Sequence, residues 1–142
     1  MIAIVAALAL AGQTAPAEAA WTWTLYDDTT PVVLANEIPD TPSLRATLEC
    51  DPASGVARII LYGGSPDGGM ARITAGQTSA MAQAEAQRGG ALKLALPTDH
   101  PVFAAFAADG RMSIAVAEQR QSLEVPRAHL AKLRRFAELC SG

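Results

Sequence analysis

The segment 44–62, LRATLECDPASGVARIILY, constrains the fold most, because strand-like sequence lies on both sides of one turn. Apolar residues occupy every second position from Leu44 to Cys50, which is the pattern of a strand with one buried face. Residues 51–55, DPASG, form a turn, and Val56 to Tyr62 returns with β-branched and aromatic side chains. The segment therefore predicts a β-hairpin whose first strand ends in a cysteine.

Residues 1–20, MIAIVAALALAGQTAPAEAA, have the features of a secretory signal peptide. Ile2 to Ala11 is an apolar run, and 15–17 and 17–19 both fit the small-x-small cleavage pattern, so we expect cleavage after Ala19 or Ala20. The alternative is a membrane anchor, but the run is shorter than the roughly 20 apolar residues that a spanning helix needs. The predicted product is one periplasmic or secreted domain, residues 21–142, with no transmembrane span.

The chain contains two cysteines, Cys50 and Cys140. Two cysteines in an exported protein are most simply explained by a disulfide, since exported proteins fold under oxidising conditions. Cys140 also falls on the apolar stripe of a predicted C-terminal helix, with Leu133 and Ala137 at helical spacing. We therefore predict a Cys50–Cys140 bridge that ties the hairpin to the end of the chain.

Composition supports one folded domain without a nucleic-acid partner. The 142 residues are 50% hydrophobic and 18% charged, with a net charge of −3. A single domain commonly has roughly 100 to 200 residues. A balanced, slightly acidic chain lacks the basic surface that nucleic-acid binding requires.

Strand patterns dominate the rest of the chain, and two helices are predicted near its end. Alternating or β-rich segments lie at 21–26, 32–34, 70–75, 78–87, 91–96, 112–117 and 123–125, although the Ala, Met, Gln and Glu content of 78–87 also favours a helix. The segment 36–43 is predicted to be a loop, 63–69 a hairpin loop and 119–121 a turn. A short helix is expected near 100–109 and a C-terminal helix over 126–140. The fold class is thus α+β, mainly antiparallel β in a sandwich-like sheet.

Several features of the sequence, taken together, resemble an outline known from other exported proteins. Trp21 follows the signal peptide, a strand ends in Cys50, 101–106 (PVFAAF) forms a short helix, and 135–140 (RFAELC) ends the last helix. In this outline the chain resembles small exported bacterial proteins of the invasion-associated locus B type. The resemblance implies a role at the cell envelope or surface and assigns no functional residue.

No predicted constellation indicates catalysis, a metal or a cofactor. The candidate zinc ligands, His100, His129, Cys50 and Cys140, lack ligand spacing, so His129 is interpreted as a helix-surface residue and His100 as part of a helix start. A dispersed hydrolase site could combine Ser65, His129 and Asp99, but Ser65 is not followed by the glycine of a nucleophile elbow. The sequence therefore favours a non-enzymatic domain.

Charge is distributed unevenly along the chain. Residues 21–51 contain six acidic residues and one basic residue, whereas 111–142 contain six basic residues and three acidic ones. The cations of the last helix are Arg127, Lys132, Arg134 and Arg135, which could contact an anionic surface or another envelope protein. The alternative is an ordinary solvated helix face with cations near its C-terminus.

The leading functional hypothesis is a binding or envelope-associated domain. The alternatives are an inhibitor of a foreign enzyme such as a lysozyme, acting through the 63–69 loop, and the dispersed hydrolase.

Overall fold

The computed structural model describes residues 20–63 and 67–142. The predicted signal segment up to residue 19, and residues 64–66 of the predicted loop, lie outside this part of the chain. The strands are β1 (Thr22–Tyr26), β2 (Val32–Glu37), β3 (Leu44–Cys50), β4 (Val56–Leu61), β5 (Gly69–Ala75), β6 (Thr78–Ala86), β7 (Leu92–Pro97), β8 (Arg111–Val116) and β9 (Gln119–Glu124). The α-helices are α1 (Pro101–Asp109) and α2 (Leu130–Cys140), and 3₁₀ turns occur at Arg88–Gly90 and Arg127–His129.

All nine strands belong to one antiparallel, curled sheet, in the order β1-β2-β3-β4-β7-β6-β5-β8-β9. The α+β class, the antiparallel strands and both helices are therefore confirmed. The curl brings the two edge strands together, and the indole Nε1–H of Trp23 on β1 donates to the carbonyl of Glu124 on β9 over 3.0 Å. The inner face of the sheet carries the core.

Helices close one end of the curled sheet, which we call the closed end. Helix α1 packs on β5, β6 and β8, α2 packs on β1 and β2, and the two helices contact each other. Phe103, Phe106 and Phe136 are fully buried between these layers. All three phenylalanines of the chain are thus buried in this part of the core.

The predicted disulfide lies at the closed end. Cys50 and Cys140 are bonded, with their Cα atoms 5.8 Å apart. The turn after β3 adds two hydrogen bonds to the end of α2, from Ala53 N–H to Leu139 O (2.8 Å) and from Gly55 N–H to Cys140 O (2.7 Å). These donors satisfy helix C-terminal carbonyls that have no partner within the helix.

Helix α1 begins and ends at local signals in the sequence. His100 is the N-cap, and its Nδ1 accepts from the Val102 N–H over 3.0 Å, while Pro101 occupies the first helical position. Gly110 ends the helix with φ of +77°, and a Cβ there would lie 2.3 Å from the carbonyl oxygen of Val125. Glycine is required because both the backbone angle and the close approach exclude a side chain.

Three local predictions are wrong. β2 continues to Glu37, so Asn36 lies in a strand and not in the 36–43 loop. The turn between β8 and β9 lies at 117–118 and not at 119–121, since Gln119 already pairs with Val116. The 63–69 segment does not connect a hairpin, because β7 and β6 lie between β4 and β5.

Segment 78–87 is a strand and not a helix, as its period-two pattern predicts: β6 covers Thr78–Ala86. The C-terminal helix is also confirmed, although its first turn differs from the expected one. Pro126 precedes a 3₁₀ turn, and regular α-helix begins at Leu130. His129, the last residue of the 3₁₀ turn, therefore lies at the junction between the sheet and α2.

Candidate functional site

The end of the curled sheet opposite the helices is open, and we call it the open end. It is formed by the start of β1, β3, β5, β7 and β9 and by the end of β2, β4, β6 and β8. Two cavities open there among the described residues, and the first extends along the contact between β1 and β9 as far as Glu124 and His129. The first has a volume of about 680 Å³ and the second about 410 Å³, both within the usual range of roughly 300 to 1,000 Å³ for small-molecule sites.

The first cavity is lined by aromatic and polar side chains from both edges of the sheet. Its main contributors are Trp21, Trp23, Asn36, Arg45, Tyr62, Gln121, Glu124 and His129. Trp23 is buried, whereas Trp21 is half-buried and offers part of its indole to the cavity. Trp23 is thus part of the hydrophobic core, whereas Trp21 is not.

Strand register explains why polar and apolar side chains meet here. Trp23 on β1 lies opposite Asn36 on β2, and Asn36 lies opposite Ala46 on β3, which lies opposite Leu61 on β4. These residues form one row across the inner face, because residues opposite each other in an antiparallel pair point the same way. Asn36 therefore occupies an inward position that an apolar residue would fill in an ordinary strand.

A β-bulge aims Arg45 at the cavity. The register passes from Asn36–Ala46 to Glu37–Leu44, so β3 has one additional residue at this point, Arg45. A bulge of this kind bends the strand and redirects a side chain. The Arg45 guanidinium lies 4.1 Å from the centre of the Trp21 ring, a cation–π contact that fixes one face of the indole.

Two polar atoms in the first cavity are buried without a hydrogen-bond partner among the described residues. They are Asn36 Oδ1 and His129 Nδ1. A buried polar atom without a partner costs about 1 to 3 kcal/mol, so such atoms call for an explanation. Their location in the same cavity means that one ligand could satisfy both.

His129 differs from its predicted role. It is half-buried against the cavity, so its interpretation as a helix-surface residue is wrong. Burial lowers the pKa of His129, and the ammonium group of Lys132 lowers it further. Both effects favour the neutral imidazole, in which one ring nitrogen donates and the other accepts.

The second cavity is mainly apolar. Its inner wall consists of Leu61, Leu92, Ile114 and Val116, and its rim carries Asp67, Glu118, Gln119 and Gln121. Leu61 and Gln121 line both cavities, so the two spaces are adjacent. The open end thus combines an aromatic and polar space with an apolar one.

The four predicted surface cations lie on or beside α2, and three of them have hydrogen bonds or an ion pair within the protein. Lys132 Nζ donates to the carbonyl of Trp23 (2.6 Å), Arg134 to that of Ala108 (3.3 Å), and Arg135 pairs with Glu138 (3.3 Å). Arg127 is exposed at the start of the 3₁₀ turn. An anionic partner for this surface stays a prediction, and Lys132 contributes to the seam between α2 and β1.

The predicted catalytic and metal-binding combinations do not assemble in the described part of the chain. Both cysteines are in the disulfide, and no three His, Cys, Asp or Glu side chains cluster as metal ligands within 20–63 and 67–142. Asp99 is exposed before α1, while His129 lines the first cavity, and Ser65 lies outside the described residues. The 63–69 inhibitor loop includes residues 64–66, which also lie outside them.

The sequence prediction missed Asn36, Arg45, Tyr62 and Gln121. An extension of the β2 pattern by two residues would have exposed one signal, a polar side chain at an inward position. The contribution of β9 to the cavity has no such signal, because it depends on the curl of the whole sheet.

No helix among the described residues is long and apolar enough to cross a bilayer. Comparisons of the chain with protein-family models, with curated proteins and with solved structures found no match, so the resemblance to the invasion-associated locus B type stays a prediction.

Proposed function

We propose that this protein is an exported, non-enzymatic binding domain that holds a small ligand at the open end of its sheet. One observation carries the proposal: Asn36 Oδ1 and His129 Nδ1 are buried, lack partners among the described residues and line the same cavity of about 680 Å³. A ligand with hydrogen-bonding groups would supply both partners. These hydrogen bonds would contribute to the binding free energy, because the two atoms are unpaired in the free protein and become paired when the ligand binds.

The walls of the cavity support binding of an organic molecule. Trp21 and Tyr62 are half-buried there, so part of each ring is available for stacking. Convergent polar groups beside aromatic surface are typical of ligand sites. The Arg45 contact holds Trp21 in place before a ligand arrives, which lowers the entropy lost on binding.

Export is the second part of the proposal, and the product would be periplasmic or secreted. The disulfide between Cys50 and Cys140 is compatible with an oxidising compartment. Fractionation of expressing cells, with alkylation before lysis and intact-mass analysis, tests this part. Export predicts a shortened chain without labelled thiols, whereas a full-length chain with two labelled thiols in the cytoplasm would contradict it.

Tryptophan fluorescence gives a direct test of binding, because both tryptophans of the chain line the first cavity. The probes are methyl-β-D-glucoside, octyl-β-D-glucoside, decanoate and decyltrimethylammonium, each below its micelle concentration. At least one probe should change the emission saturably, and Asn36→Leu should weaken its binding about tenfold or more, the effect of one lost hydrogen bond with the partner left buried.

Thr47→Val is the matched control for that substitution. Thr47 Oγ1 is also buried without a partner in the described structure, but Thr47 does not line the cavity. Thr47→Val should therefore leave probe affinity unchanged. The proposal fails if no probe changes the emission, or if both variants bind as the wild type does.

A further inference from the structure

The two cavities at the open end differ in chemistry and share a wall, and we infer that together they bind a single-chain amphiphile with an uncharged, hydroxyl-bearing head. The hydrocarbon chain would occupy the apolar second cavity and the head the first. The inference rests on the proposed function and names its ligand class.

The second cavity is suited to a hydrocarbon chain. Its inner wall is built by four aliphatic side chains, Leu61, Leu92, Ile114 and Val116, all of which belong to the buried core of the sheet. Water in a space with apolar walls finds few hydrogen-bond partners, so an apolar group that displaces it is favoured. The volume of about 410 Å³ is partly open, and it adjoins the first cavity at Leu61 and Gln121.

The two spaces meet at Leu61 and Gln121, which line both. Leu61 lies in the same inner row as Asn36, two strands away from it, and also pairs with Leu92 on β7. A molecule that passes Leu61 therefore leaves aliphatic surroundings and enters polar ones within one inner row of the sheet. This arrangement matches the boundary between the chain and the head of an amphiphile.

The polar groups select the head. Asn36 Oδ1 accepts hydrogen bonds and requires a donor on the ligand, and a neutral His129 can either donate or accept. A hydroxyl group satisfies both, whereas a carboxylate or sulfate offers no donor to Asn36. The half-buried Trp21 and Tyr62 provide faces on which the apolar side of a sugar or polyol ring can lie.

Charge at the rim disfavours an anionic head. Asp67 and Glu118 border the second cavity, and Glu124 borders the first. Arg45 is the cation of the first cavity, but its guanidinium already covers the Trp21 ring. An anionic amphiphile would have to pass carboxylates of the same sign, which weakens binding.

A series of alkyl-β-D-glucosides from methyl to decyl, each below its micelle concentration, tests the inference by tryptophan fluorescence. Affinity should rise about threefold to fourfold for each added methylene, as expected for hydrocarbon transferred out of water, until the second cavity is full. Equal affinity along the series, with methyl glucoside bound, would overturn this inference and leave the proposed function standing. Absence of binding by the glucosides and by the charged probes would overturn both.

Substitutions in the second cavity test whether the hydrocarbon chain of the ligand binds there. Val116→Phe and Leu92→Phe place a larger side chain in it and should reduce octyl glucoside affinity at least tenfold, with methyl glucoside unaffected. Two variants are used because a larger side chain in the cavity wall can lower stability, and circular dichroism identifies which variant is folded. If a folded variant keeps the full dependence of affinity on alkyl length, the alkyl chain binds elsewhere and the inference is wrong.

The head preference has its own test. The double variant Asp67→Asn/Glu118→Gln removes the rim carboxylates and should raise decanoate affinity severalfold while octyl glucoside affinity stays the same. The control Asp27→Asn/Asp28→Asn makes the same change in net charge at exposed residues that lie outside both cavities. Decanoate binding to the wild type as strong as that of nonyl glucoside would contradict an uncharged head.

Discussion

The two ends of the curled sheet are built from the same strands but differ in whether their buried polar groups are paired. At the closed end, α1 and α2 fill the interior, and backbone donors of Ala53 and Gly55 satisfy the carbonyls at the end of α2. At the open end, the inner row contains Asn36, and two polar atoms have no partner among the described residues. The hydrogen-bonding groups at the end of α2 are thus satisfied at the closed end, whereas the open end keeps two unpaired polar atoms beside a cavity.

The difference follows from where the helices and the disulfide lie. Helix α2 begins directly after His129, which lines the first cavity, and ends at Cys140, which is bonded to Cys50 at the closed end. The same helix therefore links both ends. A perturbation at Cys140 should affect global stability, and one at His129 should affect the site.

The largest expected effect is loss of the disulfide. The bond joins residues 90 positions apart, for which the chain-entropy model predicts roughly 4 to 5 kcal/mol of stability. Cys50→Ala/Cys140→Ala should lower the free energy of unfolding in urea by that order. The reductant dithiothreitol should destabilise the wild type similarly and leave the variant unchanged. A loss below about 1 kcal/mol would show that the closed end does not depend on the bond.

A matched pair on one strand compares the two ends directly. Leu96 and Leu92 both point inward from β7; Leu96 is 1% exposed near the closed end, and Leu92 is 7% exposed in the wall of the second cavity. Leu96→Ala should cost about 3 to 4 kcal/mol, since it creates a new void, and Leu92→Ala about 2 kcal/mol, since it enlarges an existing one. Urea unfolding measures both, and equal losses would contradict the comparison.

Removal of an unpaired polar atom should stabilise the free protein. Asn36→Leu should raise the free energy of unfolding by about 1 kcal/mol because a buried acceptor without a partner is replaced by an apolar group of similar shape. Thr47→Val should give a similar gain on the outer face of β3. Only Asn36→Leu should also weaken ligand binding. A loss of stability in Asn36→Leu would indicate that Oδ1 already has a partner in the free protein.

The smallest expected effect is a pH dependence from His129. Its folded pKa lies below the ordinary value of 6.5, first because of burial and then because of Lys132. The unfolded chain therefore binds more protons, so this contribution to stability is complete above pH 6.5 and is lost as the pH falls toward the folded pKa. Glu124 and Arg45 are the charged residues that line the same cavity, so their charges also face the His129 imidazole.

Unfolding of His129→Gln between pH 7.5 and 5 checks this effect. The variant should lose less stability on acidification than the wild type, while the control His100→Asn, which retains a capping acceptor for Val102 N–H, should keep the wild-type dependence on His129. Identical pH profiles for the wild type and His129→Gln would contradict the neutral, buried imidazole.

The parts of the fold that were predicted correctly depend on neighbouring residues. The hairpin of β3 and β4, strand β6, the start of α1 at His100-Pro101 and the apolar stripe of α2 all follow from periodicity and capping. The errors occur where local signals are weak or misleading. Ala117, at φ +53°, forms the β8–β9 turn without a glycine or asparagine to mark it, and the polar strand β9 lies at an edge of the sheet, where alternation is weak.

The candidate site was almost entirely out of reach of such reasoning. Its residues come from positions as distant as Trp21 and His129, and His129 looked like a solvent-exposed residue of a helix. The one local signal was Asn36, a polar residue at an inward position. It was missed because a polar residue after an apolar run is also the usual sign that a strand has ended.

By itself, the sequence determined the strand and helix segments and the α+β class, because periodicity and capping act between neighbouring residues. It also determined the pairing of Cys50 with Cys140, because each of two cysteines has only one possible partner. Only the tertiary structure decided the order of the strands, the curl that joins Trp23 to Glu124, and the two cavities at the open end. These features depend on contacts between residues far apart in the chain. Many strand orders satisfy the same local patterns, and only packing of the whole core selects one of them.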